Sequence, residues 1–273
     1  MIMKKINSSA QFVAYERKHR MLILFSQIAL ALILIGLWEV LARLGVINVF
    51  LVSKPSDIFI LFIKYVKSGE LFGHIKISVF ETLLGLVFGT LLGLIIGILL
   101  WWNELIAKIL DPFLVVLNAL PKTALAPILI IWAGTGIKGI VLVAISLSIV
   151  VTILSSYNYF ISVDKEQIKM MRTMNASKFQ ILTKLVIPAN IANIINIIKI
   201  NIGMSWVGVI VGEFLVSREG IGYLVVYGGQ VFKLDLVMMG VFILGIIALL
   251  MYLVLNSIEK YYRNKRYAKK KKN

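Results

Sequence analysis

Met171–Asn190, MRTMNASKFQILTKLVIPAN, lies between two long apolar runs, residues 139–160 and 189–216, and differs from both. The residues leading into it, Asp164 to Met174, can form a short helix with Ile168 and Met171 on one side. Asn175 sits where the chain must turn, and Asn is, after Gly, the residue that best tolerates positive φ. Ser177-Lys178-Phe179-Gln180 has capping-box spacing, a Ser N-cap with Gln three residues later, so a second helix starts there. Phe179, Leu182 and Val186 give that helix an apolar face, and Pro188 ends it or opens the next run. Two readings fit: an ordinary amphipathic loop, or a handle by which another protein moves the flanking helices.

The rest of the chain is far too apolar for a soluble domain of 273 residues, at 60% hydrophobic and mean hydropathy +0.93. Six runs are long enough to cross a ~30 Å hydrocarbon core: about 21–42, 77–100, 112–132, 139–160, 189–216 and 236–258. The third is broken by Pro121 and Pro127 and carries Lys122, with Asp111 placed as N-cap and Pro112 at the first helical position. Residues 56–67, SDIFILFIKYVK, have helical apolar spacing behind a Ser N-cap and predict an amphipathic helix lying on the membrane surface. The reading is one all-α membrane domain, 1–273, with residues 161–188 as its polar inset. The first run follows a basic start and is too long for a signal-peptide core, so it reads as a retained anchor.

The net charge of +16 is distributed between the apolar runs, which argues against nucleic acid. Segments before run 1, between 2 and 3, between 4 and 5, and after 6 carry five, one, five and eight Lys or Arg; the opposite set carries five, one and two. That asymmetry places both termini in the cytoplasm, with the tail Lys260–Lys272 against anionic lipid. With no cysteine there is no disulfide or thiolate chemistry. His19 and His74 read as isolated loop residues with no metal or proton role.

Run 2 contains GLVFGTLLGLIIG, with Gly85, Gly89, Gly93 and Gly97 on one helical face. Such a stripe lets another backbone approach closely, either a helix of this chain or a second copy. Gly208 and Gly212 make a shorter version. Among ionisable residues in or near the runs, Glu39, Glu81, Lys122, Lys199 and Glu213 are costly in lipid and face a bundle interior or a water path. Lys199, Asn201, Ser205, Trp206 and Glu213 are the candidates for a translocation path; for Lys199 the competing readings are a snorkelling lysine or an ion pair with Glu39 or Glu81.

VDKEQIKMMRTMNASKFQILTKLVIPAN (Val163–Asn190) resembles the cytoplasmic loop of membrane subunits of ATP-binding-cassette importers, in the branch serving nitrate, sulfonate and taurine. LWEVLARLGVINVFLVSKPSDI, LDPFLVVLNALPKTALAPILIIWAGTG and GMSWVGVIVGEFLVSREGIGYLV match the same family in order, covering most of the chain, and Glu213 matches a family glutamate. The resemblance implies a type I importer permease fold in a bacterial inner membrane, with coupling helices docked on a separate ATPase. The coupling residues it implies are Asp164, Glu166, Lys169, Met170, Met171, Arg172, Thr173, Asn175, Ala176, Ser177 and Lys178. Two departures are visible. The family's Glu-Ala-Ala positions are Lys169, Met170 and Met171, with Glu166 one turn earlier, and its glycine is Asn175.

The chain has no G-x-x-x-x-G-K-[ST] phosphate loop, so ATP and Mg²⁺ belong to partner ATPase subunits and the chain itself is not an enzyme. The implied partners are two such ATPases, an extracytoplasmic solute-binding protein and a second permease, most simply a homodimer. The alternative class is a secondary transporter or channel acting without an ATPase. It would need a complete site and often inverted repeats in one chain, and no convincing internal repeat is present.

Overall fold

The computed structural model describes residues 9–270. No strand occurs among them. Lys4, Lys5, Lys271 and Lys272, to which the charge argument partly appeals, lie outside the described residues. The chain divides into two compact units, one ending at Lys64 and one beginning at Tyr65.

In the first unit, α1 (Ser9–Arg43) is followed by the single turn α2 (Val49–Val52) and by α3 (Pro55–Ser68), which continues across the boundary. Ser56 is not the cap of α3, because the helix already begins at Pro55. Ser56 instead gives its backbone N–H and hydroxyl to the Glu39 carboxylate, at 3.0 and 2.9 Å. Arg43 Nε donates to the same carboxylate at 2.7 Å. Glu39 therefore serves as an acceptor for the first turn of α3, where unpaired N–H groups favour an anion.

The second unit contains α4 (Glu70–Trp102), α5 (Glu104–Ala119), α6 (Lys122–Ala133), α7 (Ile137–Ile161), α8 (Lys165–Thr173) and α9 (Lys178–Ile181). A π-helical turn over Leu182–Val186 then leads into α10 (Ile187–Ala189), α11 (Ile191–Val216), α12 (Ile221–Gln230) and α13 (Leu234–Lys270). Among the described residues five helices are long and apolar enough to cross a membrane, and α5 with α6 makes a sixth if the pair is one span.

That pair corrects the sequence reading of run 3. It is no single rod over 112–132: α5 and α6 meet at 99°. Leu120 precedes Pro121 and is held extended (φ −62°, ψ 138°), as the proline ring requires of its predecessor. The start also moves. Asn103, not Asp111, caps α5, accepting from Leu105 N and Ile106 N at 3.0 and 3.2 Å, and Pro112 lies inside the helix.

The core of this unit is α7, packed between α4 and α11. Gly85, Gly89, Gly93 and Gly97 face Ala144, Ser148, Thr152 and Ser156, which repeat at the same spacing of four along α7. A methyl group at Gly93 would stand 2.5 Å from Thr152 Cβ, well inside van der Waals contact. The partner hydroxyls turn back onto their own helix: Ser148 Oγ donates to Ala144 O at 3.1 Å and Thr152 Oγ1 to Ser148 O at 2.8 Å. Thus satisfied, Ser and Thr pack as small residues. Gly208 and Gly212 of α11 rest on Ala144 and Ile140, so Ala144 meets both α4 and α11 where the three helices converge.

Gly93→Ala should overpack this seam and lower stability by about 1–3 kcal/mol. Gly36→Ala, with nothing within 4 Å of the added carbon, should leave stability unchanged. Thermal unfolding of the two variants in one detergent, followed by loss of the monodisperse elution peak, checks the contrast.

Candidate functional site

Residues 164–190 form the helix–turn–helix that the sequence pattern predicts. Asp164 caps α8 by accepting from Glu166 N at 2.9 Å. The helix ends with Asn175 at φ +56°. Asn175 N bonds Arg172 O and Ala176 N bonds Met171 O, each at 3.0 Å. This is the Schellman pairing, with Asn in the left-handed position usually taken by Gly and with Ala176 packed beside Met171. Ser177 then opens α9 with both arms of a capping box, accepting from Gln180 N at 3.2 Å while its own N–H reaches Gln180 Oε1 at 2.8 Å.

The apolar face keeps two of the three expected residues. Leu182 and Val186 are buried, but Phe179 is exposed and Ile181 takes its place. The π-turn at 182–186 inserts a residue ahead of Pro188, whose ring lacks an N–H for a regular ladder. Run 5 accordingly starts at Ile191, after the chain turns at Asn190, rather than at residue 189. The buried face sits on Phe160 and Val163 and on Leu94, Ile98 and Trp101 of α4.

The α8–α9 segment is tied to α4 by charge as well. Lys178 Nζ donates to Trp102 O at 2.5 Å and lies 5.8 and 5.6 Å from the ring centres of Trp101 and Trp102. Facing away from the bundle, Met170, Met174 and Phe179 are 59%, 76% and 63% exposed. Around them Asp164, Glu166, Lys169, Arg172, Thr173, Asn175 and Ser177 are exposed too, whereas Met171 and Ala176 are half-buried against the bundle.

At the other end of α4 a second polar cluster forms. Glu213 accepts from Ser78 Oγ at 2.5 Å and from Gly222 N at 2.6 Å, with Tyr223 N and Glu81 as further partners. Ser78 Oγ also accepts from Ile221 N at 2.8 Å, and His74 Nδ1 from Gly220 N at 2.9 Å. The first N–H groups of α12 are thus held by α4 and α11 side chains. Gly220 (φ +103°) and Gly222 let this turn close on Glu213, since a Cβ at either would strike the carboxylate.

Between the two ends, Asn201 Nδ2 donates to Thr90 Oγ1 and Thr152 Oγ1, at 2.8 and 2.7 Å, joining α4, α7 and α11. Asn201, Ser205, Trp206 and Glu213 are buried between helices of the one chain, while Lys199 is half-buried. A cavity of about 590 Å³ is bordered by Glu81, Thr135, Ser217, Arg218 and Glu219, and by none of those five α11 residues. Of the carboxylates weighed as ion-pair partners for Lys199, each has other partners here. Glu81 meets Glu213, about 21 Å along α11 from Lys199, and Glu39 is taken by Arg43 and Ser56. His74, read as a loop residue, is in α4. Sequence patterns had no means of finding His74, Ser78, Thr90 or Thr152, whose partners lie 49 to 146 residues away. No cluster of three metal-ligating side chains occurs among the described residues.

Residues 89–266 match the family described as the binding-protein-dependent transport system inner membrane component. This chain belongs to that family. The permease is 30% identical to a Bacillus subtilis protein described as an aliphatic sulfonates transport permease, SsuC, over 79% of this chain and 78% of the relative. It is 28% identical to the formylaminopyrimidine transport permease ThiX of Halalkalibacterium halodurans, over 70% and 76% of the two chains. With the taurine transport system permease TauC of Escherichia coli it shares 23% identity over 84% and 85%. Its fold is that of a chain in inward-facing structures of the MetNI methionine ABC transporter, with TM-score 0.64 at 16% identity, covering 71% of this chain and 97% of that one. The permease therefore has the type I importer fold.

Glu213→Gln places an amide donor against Ser78 and the α12 N–H groups, and should cost the permease about 1–3 kcal/mol. Asn201→Ala, which removes two interhelical bonds, should cost about 1 kcal/mol. Denaturant titration of both purified variants in detergent checks the order.

Proposed function

We propose that this permease carries a small anion of the sulfonate, taurine or nitrate type inward, driven by ATP bound with Mg²⁺ on separate ATPase subunits. The observation that carries the reading is the doubly capped α8–α9 segment: a rigid polar object, seated on two spans, whose opposite face is solvent-exposed. In this reading that segment and both termini are cytoplasmic, which the Lys and Arg asymmetry supports. Two copies of the chain flank the path, and an extracytoplasmic binding protein delivers the solute. The anion class is supported by the relatives named for aliphatic sulfonates and taurine.

The exposed residues from Asp164 to Ser177 supply the ATPase contact, with Met170 and Met174 as its apolar centre. Met171, Ala176 and Lys178 hold the segment to the bundle. Closure of the ATPases on ATP would favour one orientation of α8–α9, and the spans follow because a ligand shifts a conformational equilibrium by its differential affinity. Along the path, Lys199 is the α11 candidate with surface to offer a passing anion.

Proteoliposomes holding this chain, its ATPase and its binding protein should take up taurine or an alkanesulfonate only with ATP. Met170→Asp with Met174→Asp, both at exposed positions, should weaken ATPase recovery roughly tenfold or more without reducing insertion. Uptake by the chain alone, without ATP, would overturn the reading.

A further inference from the structure

We propose that Lys178 is the joint through which the α8–α9 segment drives α4, and so a positioning residue for transport rather than a contact for the ATPase. The inference rests on the coupling role assigned above to α8–α9 and adds to it the route by which motion leaves that segment.

Three observations converge on Lys178. Its ammonium donates to Trp102 O, one of the last carbonyls of α4, which have no partner further along the helix. Those carbonyls form the negative end of the helix dipole, where a cation is favoured. The same ammonium lies over the faces of Trp101 and Trp102. Lys178 is also the first residue of α9, directly after the Ser177 cap, so its backbone belongs to the most tightly bonded part of the segment. Beneath it, Trp101 continues into the apolar seat formed with Leu94 and Ile98.

What α4 would do with that force follows from its build. It runs unbroken for 33 residues, about 50 Å, with no proline. One end carries the Lys178 joint. The other carries His74, Ser78 and Glu81, which hold the Gly220–Tyr223 turn directly or through Glu213. A displacement of α8–α9 is therefore delivered by a stiff rod to the turn at the far side of the membrane. The buried face of the segment packs on α4. The Lys178 hydrogen bond, exposed but directional, adds a lengthwise constraint at the end of the helix.

The test has two arms. The chain contains no cysteine, so spin labels at Met174→Cys and Phe88→Cys, both exposed, report the segment against α4 in the isolated chain. Lys178→Met should broaden the label–label distance distribution measured by double electron–electron resonance, and Lys178→Arg, which keeps the charge and the donors, should restore it. In proteoliposomes with the ATPase and binding protein, Lys178→Met should retain the ATPase within twofold. Solute transported per ATP should fall at least fivefold, with recovery in Lys178→Arg. An unchanged distance distribution overturns the joint. So does loss of ATPase recovery with normal transport per ATP by the complexes that remain, which would make Lys178 a partner contact. If the wild-type chain itself recruits no ATPase, the importer reading fails while the distance arm still decides the joint.

Discussion

Helices in lipid gain little by hiding apolar surface from one another, so this permease depends on backbone-to-backbone approach along the Gly85–Gly97 stripe of α4. The stripe works only because α7 answers it with Ala144, Ser148, Thr152 and Ser156 in the same period. Hydroxyls that bond their own helix cost little to bury and keep α7 narrow. Gly208 and Gly212 bring α11 against the same two helices, so α4, α7 and α11 converge at Ala144. Every polar contact named between these helices, such as Asn201 with Thr90 and Thr152, requires that close approach first.

A second constraint recurs at helix starts. Each first turn has N–H groups without partners, and in a membrane protein with short connections water is a poor substitute. Glu39 answers for α3, Glu213 for α12, Asn103 for α5 and Asp164 for α8. Two of these are the intramembrane carboxylates that invite a transport role. Their observed partners are backbone N–H groups and neighbouring side chains, so the architecture itself accounts for their presence. The carboxylate of Glu213 needs both glycines of the Gly220-Ile221-Gly222 turn, and that turn in return is aligned by α4.

These two constraints give the α8–α9 segment its leverage. It rests on Phe160 of α7 and on Leu94, Ile98 and Trp101 of α4, the helices that the glycine stripe welds together. Under the proposed coupling role, a force applied to the segment would meet this packed pair, with α4 running the length of the span. Where the family pattern has an acidic residue, this chain presents Lys169, Met170 and Met171, and Met170 and Met174 are exposed.

Local chemistry made much of this legible. Asn175 in the left-handed region, the Ser177–Gln180 box and the glycine period follow from residue type and spacing within about ten residues, and each is where the sequence places it. The spans were legible because a hydrocarbon core sets their length. Boundaries were not: Asn103 and not Asp111 starts α5, because capping depends on which side chain reaches the first N–H groups. Nor did Phe179 join the apolar face, where Ile181 is buried beside Leu182 and Val186 instead. Which helix meets the stripe was left open between this chain and a second copy, and α7 is the answer within this chain. Tertiary structure alone decided that His74 and Ser78 hold a turn some 140 residues away, and that Lys178 sits on α4. The reason is physical. Caps and helix periods are short-range and written in neighbouring residues, whereas partners across a helix interface are chosen by close approach of backbones, which no local pattern specifies.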